Sequence, residues 1–349
     1  MTPRAILLAI AVTGLALCGV GLFVDTKAAL SAYLAACVTV ASIPMGALAV
    51  LLTTYLVRAA WTEGMHAPLA AASLTIPGAG LLFIPVFVGL SWLYPWATRV
   101  EPGPLKVIYL TPWFYILRTL IYLASLSAIA FWAARAWKKL AEMIRVASIG
   151  LIVYALVASF AGIDWIESLE PSFHSSEFGL IFLASQLLAG LCFALVMTLW
   201  HQKPESTHAY GATLLSTLLL WAYLQAMQYI IIWSANIPDE ALWYLRRAEA
   251  PWDAVLWTLA ILQFVVPFFA LLSMRVRTGR TPILTIACVT LALRYLEAIW
   301  LIFPATGTSN WILWIVIPAA ICGVGGTWLL IFERALAWSA HQFSREATP

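Results

Sequence analysis

Ten stretches of about 20 mostly apolar residues, each long enough to cross roughly 30 Å of hydrocarbon as a helix, occupy most of this chain. They fall near residues 5–24, 29–57, 68–95, 112–134, 143–163, 177–200, 209–233, 253–274, 281–304 and 310–333. With 63% hydrophobic and 10% charged residues, one soluble core could not hide so much apolar surface. The alternating pattern of about ten residues that marks a membrane β-barrel is absent. The spans are therefore expected to be helices, which satisfy their own backbone within one segment. The expected fold is an all-α integral membrane protein of about ten transmembrane helices, one polytopic domain over residues 1–349.

Lys and Arg set the expected orientation. The N-terminal side carries Arg4, Arg58, Arg135, Lys138, Lys139, Arg145, Lys203, Arg275, Arg277, Arg280, Arg334 and Arg345. The opposite side has Lys27, Arg99, Lys106, Arg246 and Arg247. Positive charge favours the cytoplasm, so both termini are expected there, in a bacterial inner membrane, with the acidic loops facing a periplasm-like compartment. A net charge of +3 gives no sign of nucleic-acid binding.

The first span, with Arg4 before it and Cys18 inside, could be read as a lipoprotein signal; Leu17 occupies the position before the cysteine that such a signal gives to a small residue. A retained helix is expected. Cys18, Cys37, Cys192, Cys288 and Cys322 stand singly in apolar runs, and without a C-x-x-C pair neither zinc nor an iron–sulfur cluster is expected. His66, His174, His201, His208 and His341 all fall at span ends or in the tail, so no axial ligand for a membrane haem is expected.

Pro112-Trp113 opens the fourth span and Pro251-Trp252 precedes the eighth. A recurrence four helices apart on one side fits two parallel repeats, residues 29–163 and 177–304, with the first and tenth helices outside them. Coincidence is the competing reading in a chain with 18 Pro and 18 Trp.

Ionisable groups inside spans cost about 2.5–3.5 kcal/mol at the centre and usually face the bundle interior. Arg118, Arg294 and Glu297 are the clear cases, the last two three residues apart on one helix face and able to pair. Counting about 1.5 Å per residue places Arg118 and Glu297 roughly 10 Å from the loop side and Arg294 roughly 15 Å. Gln225, Gln228, Gln186 and Gln263 fall in the same half. The bland reading is an ion pair with glutamines as interhelical glue; the functional one is a shared polar belt, which the coincidence of depth across five helices favours. The other half offers mainly hydroxyls, such as Thr53, Thr54, Ser148 and Thr285, so no continuous proton channel is visible.

Two loops concentrate the remaining charge. Asp164, Glu167, Glu170, His174 and Glu177 are interleaved with Trp165 and Leu169, which suits either a solvated acidic loop or an amphipathic surface helix covered by a partner. Asn236-Ile237-Pro238-Asp239-Glu240 looks like a capped helix start leading to Trp243, Tyr244, Arg246 and Arg247. An aromatic belt accounts for the Trp residues but not for the charges among them.

At these residues the chain resembles the F subunits of alternative complex III, within the polysulfide-reductase, NrfD-type superfamily of quinone-interacting membrane subunits. The resemblance lies in LLFIPVFVGLSWLYPWA at 81–97, DWIESLEPSFHSSEFG at 164–179, YIIIWSANIPDEALWYLRR at 229–247, PFFALLSMRV at 267–276 and RYLEAIWLIFP at 294–304. It implies two four-helix bundles plus two peripheral helices. It also implies assembly with a paralogous quinol-binding membrane subunit and with periplasmic iron–sulfur and cytochrome c subunits, electrons passing to a periplasmic carrier or a terminal oxidase. Family members often carry His-Phe before the Pro-Phe of the eighth helix; Gln263-Phe264 stands here and offers no titrating group.

The function expected from sequence is a cofactor-free membrane subunit of a quinol-oxidising respiratory complex, haem and iron–sulfur clusters being carried by its partners. Candidate quinol or proton-path residues are Arg118, Asp164, Glu167, His174, Glu177, Gln225, Gln228, Arg294 and Glu297. Candidate docking residues are Glu170, Asp239, Glu240, Trp243, Arg246 and Arg247. A structural scaffold and a secondary transporter are the rival readings.

Overall fold

The computed structural model describes residues 2–57, 62–99, 106–136, 139–202, 207–307 and 311–344, the side chains of 63 and 340–344 excepted. The orienting residues Arg58, Lys138, Lys203 and Arg345, and the side chain of His341, lie outside that set. Every regular element among the described residues is helical. Ten helices there are long and apolar enough to cross a membrane: Pro3–Val24, Thr26–Val57, Gly64–Val88, Pro112–Ala136, Leu140–Leu169, Phe178–His201, His208–Ala235, Trp252–Leu272, Arg280–Thr306 and Leu313–Ser339. They are called the first to tenth spans in that order.

Side-chain size decides which span lies at the centre. The second is rich in Ala, is buried along most of its length, and packs on the first, third, fifth, sixth, ninth and tenth. Its closest approach is to the sixth. A Cβ on Gly46 would stand 1.7 Å from the Gln186 carbonyl oxygen, and one on Gly190 would stand 2.2 Å from the Ala47 nitrogen. Where lipid is as apolar as the side chains, such backbone proximity is a main source of helix association. The second to fifth spans contact one another in a closed circuit, and so do the sixth to ninth; the first and tenth pair with each other.

Proline breaks the third span into the helices Glu63–Ser73, Ile76–Leu81 and Ile84–Val88. Neighbours supply bonds at the breaks: Tyr33 and Cys37 donate to the Leu82 carbonyl at 3.1 and 3.2 Å, and Trp328 Nε1 donates to Thr75 Oγ1 at 2.8 Å. The eighth and tenth spans each widen into a π-helix, at Leu259–Val265 and Ile321–Gly325.

One end of the bundle, the upper end, is built among the described residues from 94–99, 106–115, 164–177 and 236–252. The stretch 164–177 is not an amphipathic surface helix. The fifth helix runs to Trp165, a single 3₁₀ turn spans Glu167–Leu169, and Trp165, Ile166, Leu169 and Phe173 are all buried. The chain folds inward because its polar groups find partners there: Tyr94 donates to the Trp165 carbonyl, Trp96 Nε1 to the Ser168 carbonyl and Trp165 Nε1 to Thr119. Nor does Asn236 cap the helix after it. It takes the left-handed conformation, φ 50°, and ends the seventh span; the interfacial helix Pro238–Arg247 starts after Ile237 with no side-chain cap. Asp239 and Glu240 in its first turn and Arg246 and Arg247 in its last complement the helix dipole.

Candidate functional site

The polar belt expected across one half of the membrane divides into two clusters. In the first, Arg118 of the fourth span and Asp164 in the last turn of the fifth helix form a bidentate pair. Arg118 Nε lies 2.8 Å from Oδ2 and Nη2 2.9 Å from Oδ1; Tyr122 donates to Oδ2 at 2.7 Å, and Arg118 Nη1 donates to the Tyr109 carbonyl. The guanidinium lies over the Tyr109 ring at 3.7 Å. Asp164 is thus a fully buried structural partner, not a loop acid.

The second cluster surrounds Glu297 of the ninth span. Its Oε1 accepts from Trp221 Nε1 at 2.8 Å and Gln225 Nε2 at 2.9 Å, both on the seventh span. Its Oε2 pairs with Arg294 one turn earlier and accepts from Ser185 of the sixth span at 3.3 Å. Arg294 Nη1 also donates to Ser185, and its guanidinium lies 4.7 Å from the Trp221 ring centre. Gln186 and Gln263 join neither cluster: both are fully buried, and their amides have no hydrogen-bond partner among the described residues.

Glu297, Trp221 and Gln225 line a cavity of about 690 Å³ between the seventh, eighth and ninth spans. Leu256, Leu259, Ala260, Phe264 and Val265, the last four within the π-helix, form its eighth-span wall, with Tyr229, Tyr244 and Trp300 towards the upper end. π-Helical turns occur often at functional sites, where they redirect side chains. Leu219, Tyr223 and Trp257 line the cavity and are themselves exposed, so its mouth opens on the flank of the bundle. The buried Trp300 Nε1 has no hydrogen-bond partner among the described residues. Behind Glu297 a smaller cavity of about 30 Å³, room for a water, is lined by Thr39, Ser42, Ser185 and Arg294.

The upper-end candidates fall in three places. Gln228 accepts from Ser175 and donates to Tyr244, tying residues 171–177 to the interfacial helix. Burial raises the Tyr244 phenol to about 12, so it stays protonated and can donate at neutral pH. Glu167 and His174 line a separate cavity of about 440 Å³ with Lys106. Glu177 is half-buried, and burial raises its carboxyl above the ordinary range.

Most of the docking candidates have partners within the chain. Glu170 is buried and bridges Arg246 Nη1 at 2.8 Å and Arg247 Nη2 at 2.9 Å; Arg247 also donates to the Leu301 and Trp243 carbonyls and stacks over Trp243 at 3.6 Å. Burial lowers the Arg247 guanidinium to about 10, against the pull of Glu170, which leaves it charged at neutral pH. Trp243 is buried and stacks on Phe173. The two loops therefore meet, and Asp239, Glu240 and Arg246 remain partly or fully open on their surface.

Sequence reading missed Trp221, Ser185, Tyr122 and Ser175. Trp221, Gln225 and Gln228 recur at helical spacing on one face, a signal that could have found the first of these; a lone serine or tyrosine in a span gives none. Among the described residues no group of three or more His, Cys, Asp or Glu side chains converges as a metal site. Comparison of the chain with family models and with curated proteins found no match.

Proposed function

We propose that the chain is a membrane subunit of a quinol-oxidising electron-transfer complex of the alternative complex III kind, and that the cavity beside Glu297 takes the quinol headgroup. The observation that carries this reading is a cavity open on the flank of the bundle, with the buried carboxylate of Glu297 in its wall; in this reading that flank faces lipid. A quinol reaches its site from within the bilayer, needs an apolar enclosure for its ring and tail, and must give up hydroxyl protons with its electron pair. Glu297 offers an acceptor for a hydroxyl, Gln225 and Trp300 offer donors to a ring oxygen, and the water-sized cavity behind Glu297 offers released protons a hydrated first step. The electrons then pass to iron–sulfur and cytochrome c subunits at the upper end, which faces the periplasm in this reading.

The two closed circuits of contacts support reading the second to fifth and sixth to ninth spans as paired four-helix bundles, with the first and tenth peripheral. They divide the labour. The Arg118–Asp164 pair is fully engaged and has the character of a scaffold, which favours a structural role for the first bundle. The transporter reading would need a substrate site at the broken third span, whose break is instead filled by Tyr33, Cys37 and Trp328.

Glu297→Gln in the assembled complex tests the reading. Loss of a proton acceptor lowers quinol turnover on the order of 10²-fold, with partner subunits retained on purification. Unchanged turnover in a fully assembled complex contradicts it, as does a chain that purifies from mild detergent without cytochrome or iron–sulfur partners.

A further inference from the structure

The second sizeable upper-end cavity is independent of Glu297 and of the proposed quinol site. It lies between the short helix Lys106–Tyr109, Phe114 at the start of the fourth span, and the strap from Glu167 to His174. Its chemistry is mixed in a particular way. Ile108, Leu110, Phe114 and Ile163 make the walls apolar, while an ammonium and a carboxylate stand at the same cavity. Lys106 Nζ donates to the Pro171 carbonyl at 3.0 Å, which leaves two of its three N–H donors. Glu167 Oε1 accepts from the Ser175 backbone at 2.9 Å, whereas its Oε2 is buried and has no hydrogen-bond partner among the described residues. His174 directs Nδ1 to the Ser172 carbonyl at 3.0 Å, leaving Nε2 uncommitted by that contact.

Depth narrows the occupant. The fifth span covers 30 residues, and at about 1.5 Å per residue that spans the hydrocarbon and both headgroup layers. Glu167, near its upper end, therefore lies at headgroup level, and Lys106 precedes the fourth span at the same end. An ammonium and a carboxyl group beside apolar walls at that level match a zwitterionic lipid: phosphate towards Lys106, headgroup cation towards Glu167, glycerol and the first methylenes against Ile108 and Phe114. Glu167 lines the cavity, is partly exposed there, and its carboxyl has acceptor capacity that the Ser175 bond does not fill. A primary ammonium supplies an N–H to it; a quaternary ammonium has none.

We propose that this cavity binds the headgroup of a zwitterionic phospholipid whose ammonium keeps at least one N–H, with Glu167 as the residue that selects for that N–H. Binding there ties the short helix to the strap and closes the upper end around the fifth span.

The test is native mass spectrometry of the full chain in detergent, titrated with phosphatidylethanolamine, its N-monomethyl and N,N-dimethyl forms, phosphatidylcholine and phosphatidylglycerol of the same acyl composition. Wild-type protein should retain the first three alike and lose affinity on the order of tenfold at phosphatidylcholine, where the last N–H disappears. Phosphatidylglycerol should bind no better than phosphatidylcholine. Glu167→Gln should narrow the gap between phosphatidylethanolamine and phosphatidylcholine, and Lys106→Met should weaken both. Equal retention of all five lipids by the wild type, or a stepwise loss with each methyl group, overturns the proposal without any variant. An undiminished amine preference in a folded Glu167→Gln protein overturns the role of Glu167.

Discussion

Arg118 and Asp164, 46 residues apart in the chain, close a two-pronged ion pair at 2.8 and 2.9 Å inside the protein, and the carboxylate also accepts from Tyr122. This pair joins the fourth and fifth helices at the point where the chain turns into the upper end. Removing one partner from a buried pair leaves the other charge uncompensated, at a cost of about 3–5 kcal/mol. Asp164→Asn and Arg118→Met should each lose that much stability in detergent unfolding. The double variant Arg118→Met with Asp164→Leu should lose less than the sum. Additive losses would mean that the two residues act separately.

Arg246 and Arg247 hold the same carboxylate, Glu170, but from different surroundings: the Arg246 side chain is 44% exposed and that of Arg247 is 1% exposed. Surface ion pairs contribute about 0–1 kcal/mol, whereas a buried charge left unpaired costs several. Arg246→Ala should therefore leave thermal stability nearly unchanged. Arg247→Met and Glu170→Gln should both lower it, by about 3 kcal/mol or more. A Glu170→Lys reversal should consequently disturb the chain's own upper end rather than act selectively on a docked partner. Equal sensitivity at Arg246 and Arg247 would contradict the assignment.

Glu177 carries a pH signature. Burial raises its carboxyl above the ordinary value of 4.5, so between the two pKa values the folded chain binds more protons than the unfolded chain. The sign follows directly: its contribution to stability is fully present below pH 4.5 and is lost as pH rises through the raised folded value. Glu177→Gln removes the ionisation. The variant should gain on the wild type as pH rises from about 4 towards 8 in a melting series. A constant offset between the two curves across that range would show that Glu177 does not titrate differently on folding.

Gly46 and Gly190 mark the closest helix crossing, between the second and sixth spans. A side chain at either position meets backbone, which cannot swing away, so Gly46→Val should be among the most disruptive single changes in the chain, at several times the roughly 1–3 kcal/mol of ordinary overpacking. Folded protein recovered from detergent at wild-type yield would contradict this packing.

The ten spans were legible because hydrocarbon thickness fixes their length, though the window near 68–95 falls at Gly64–Val88 and is broken by proline. Arg294 and Glu297 were legible as a pair because helical spacing brings them together. Arg118 and Asp164 were each visible, but nothing local in the sequence says that a residue in one helix will meet the last turn of another. The upper-end loops misled for a related reason. Charge at high density suggests a solvated face, yet Glu170 and Arg247 satisfy each other, and Trp165 packs inward with Leu169 and Phe173. The cavity beside Glu297 was not legible at all, since it depends on the π-helix Leu259–Val265 and on how the seventh to ninth spans diverge.

The most direct test of the central claim is photolabelling of the assembled complex with an azido-quinone, followed by peptide mapping. The account predicts label on the walls of the cavity, within residues 219–229 and 256–265, displaced by excess native quinol and reduced when Ala260→Trp fills the space. Label confined to other subunits while the complex still oxidises quinol would contradict it.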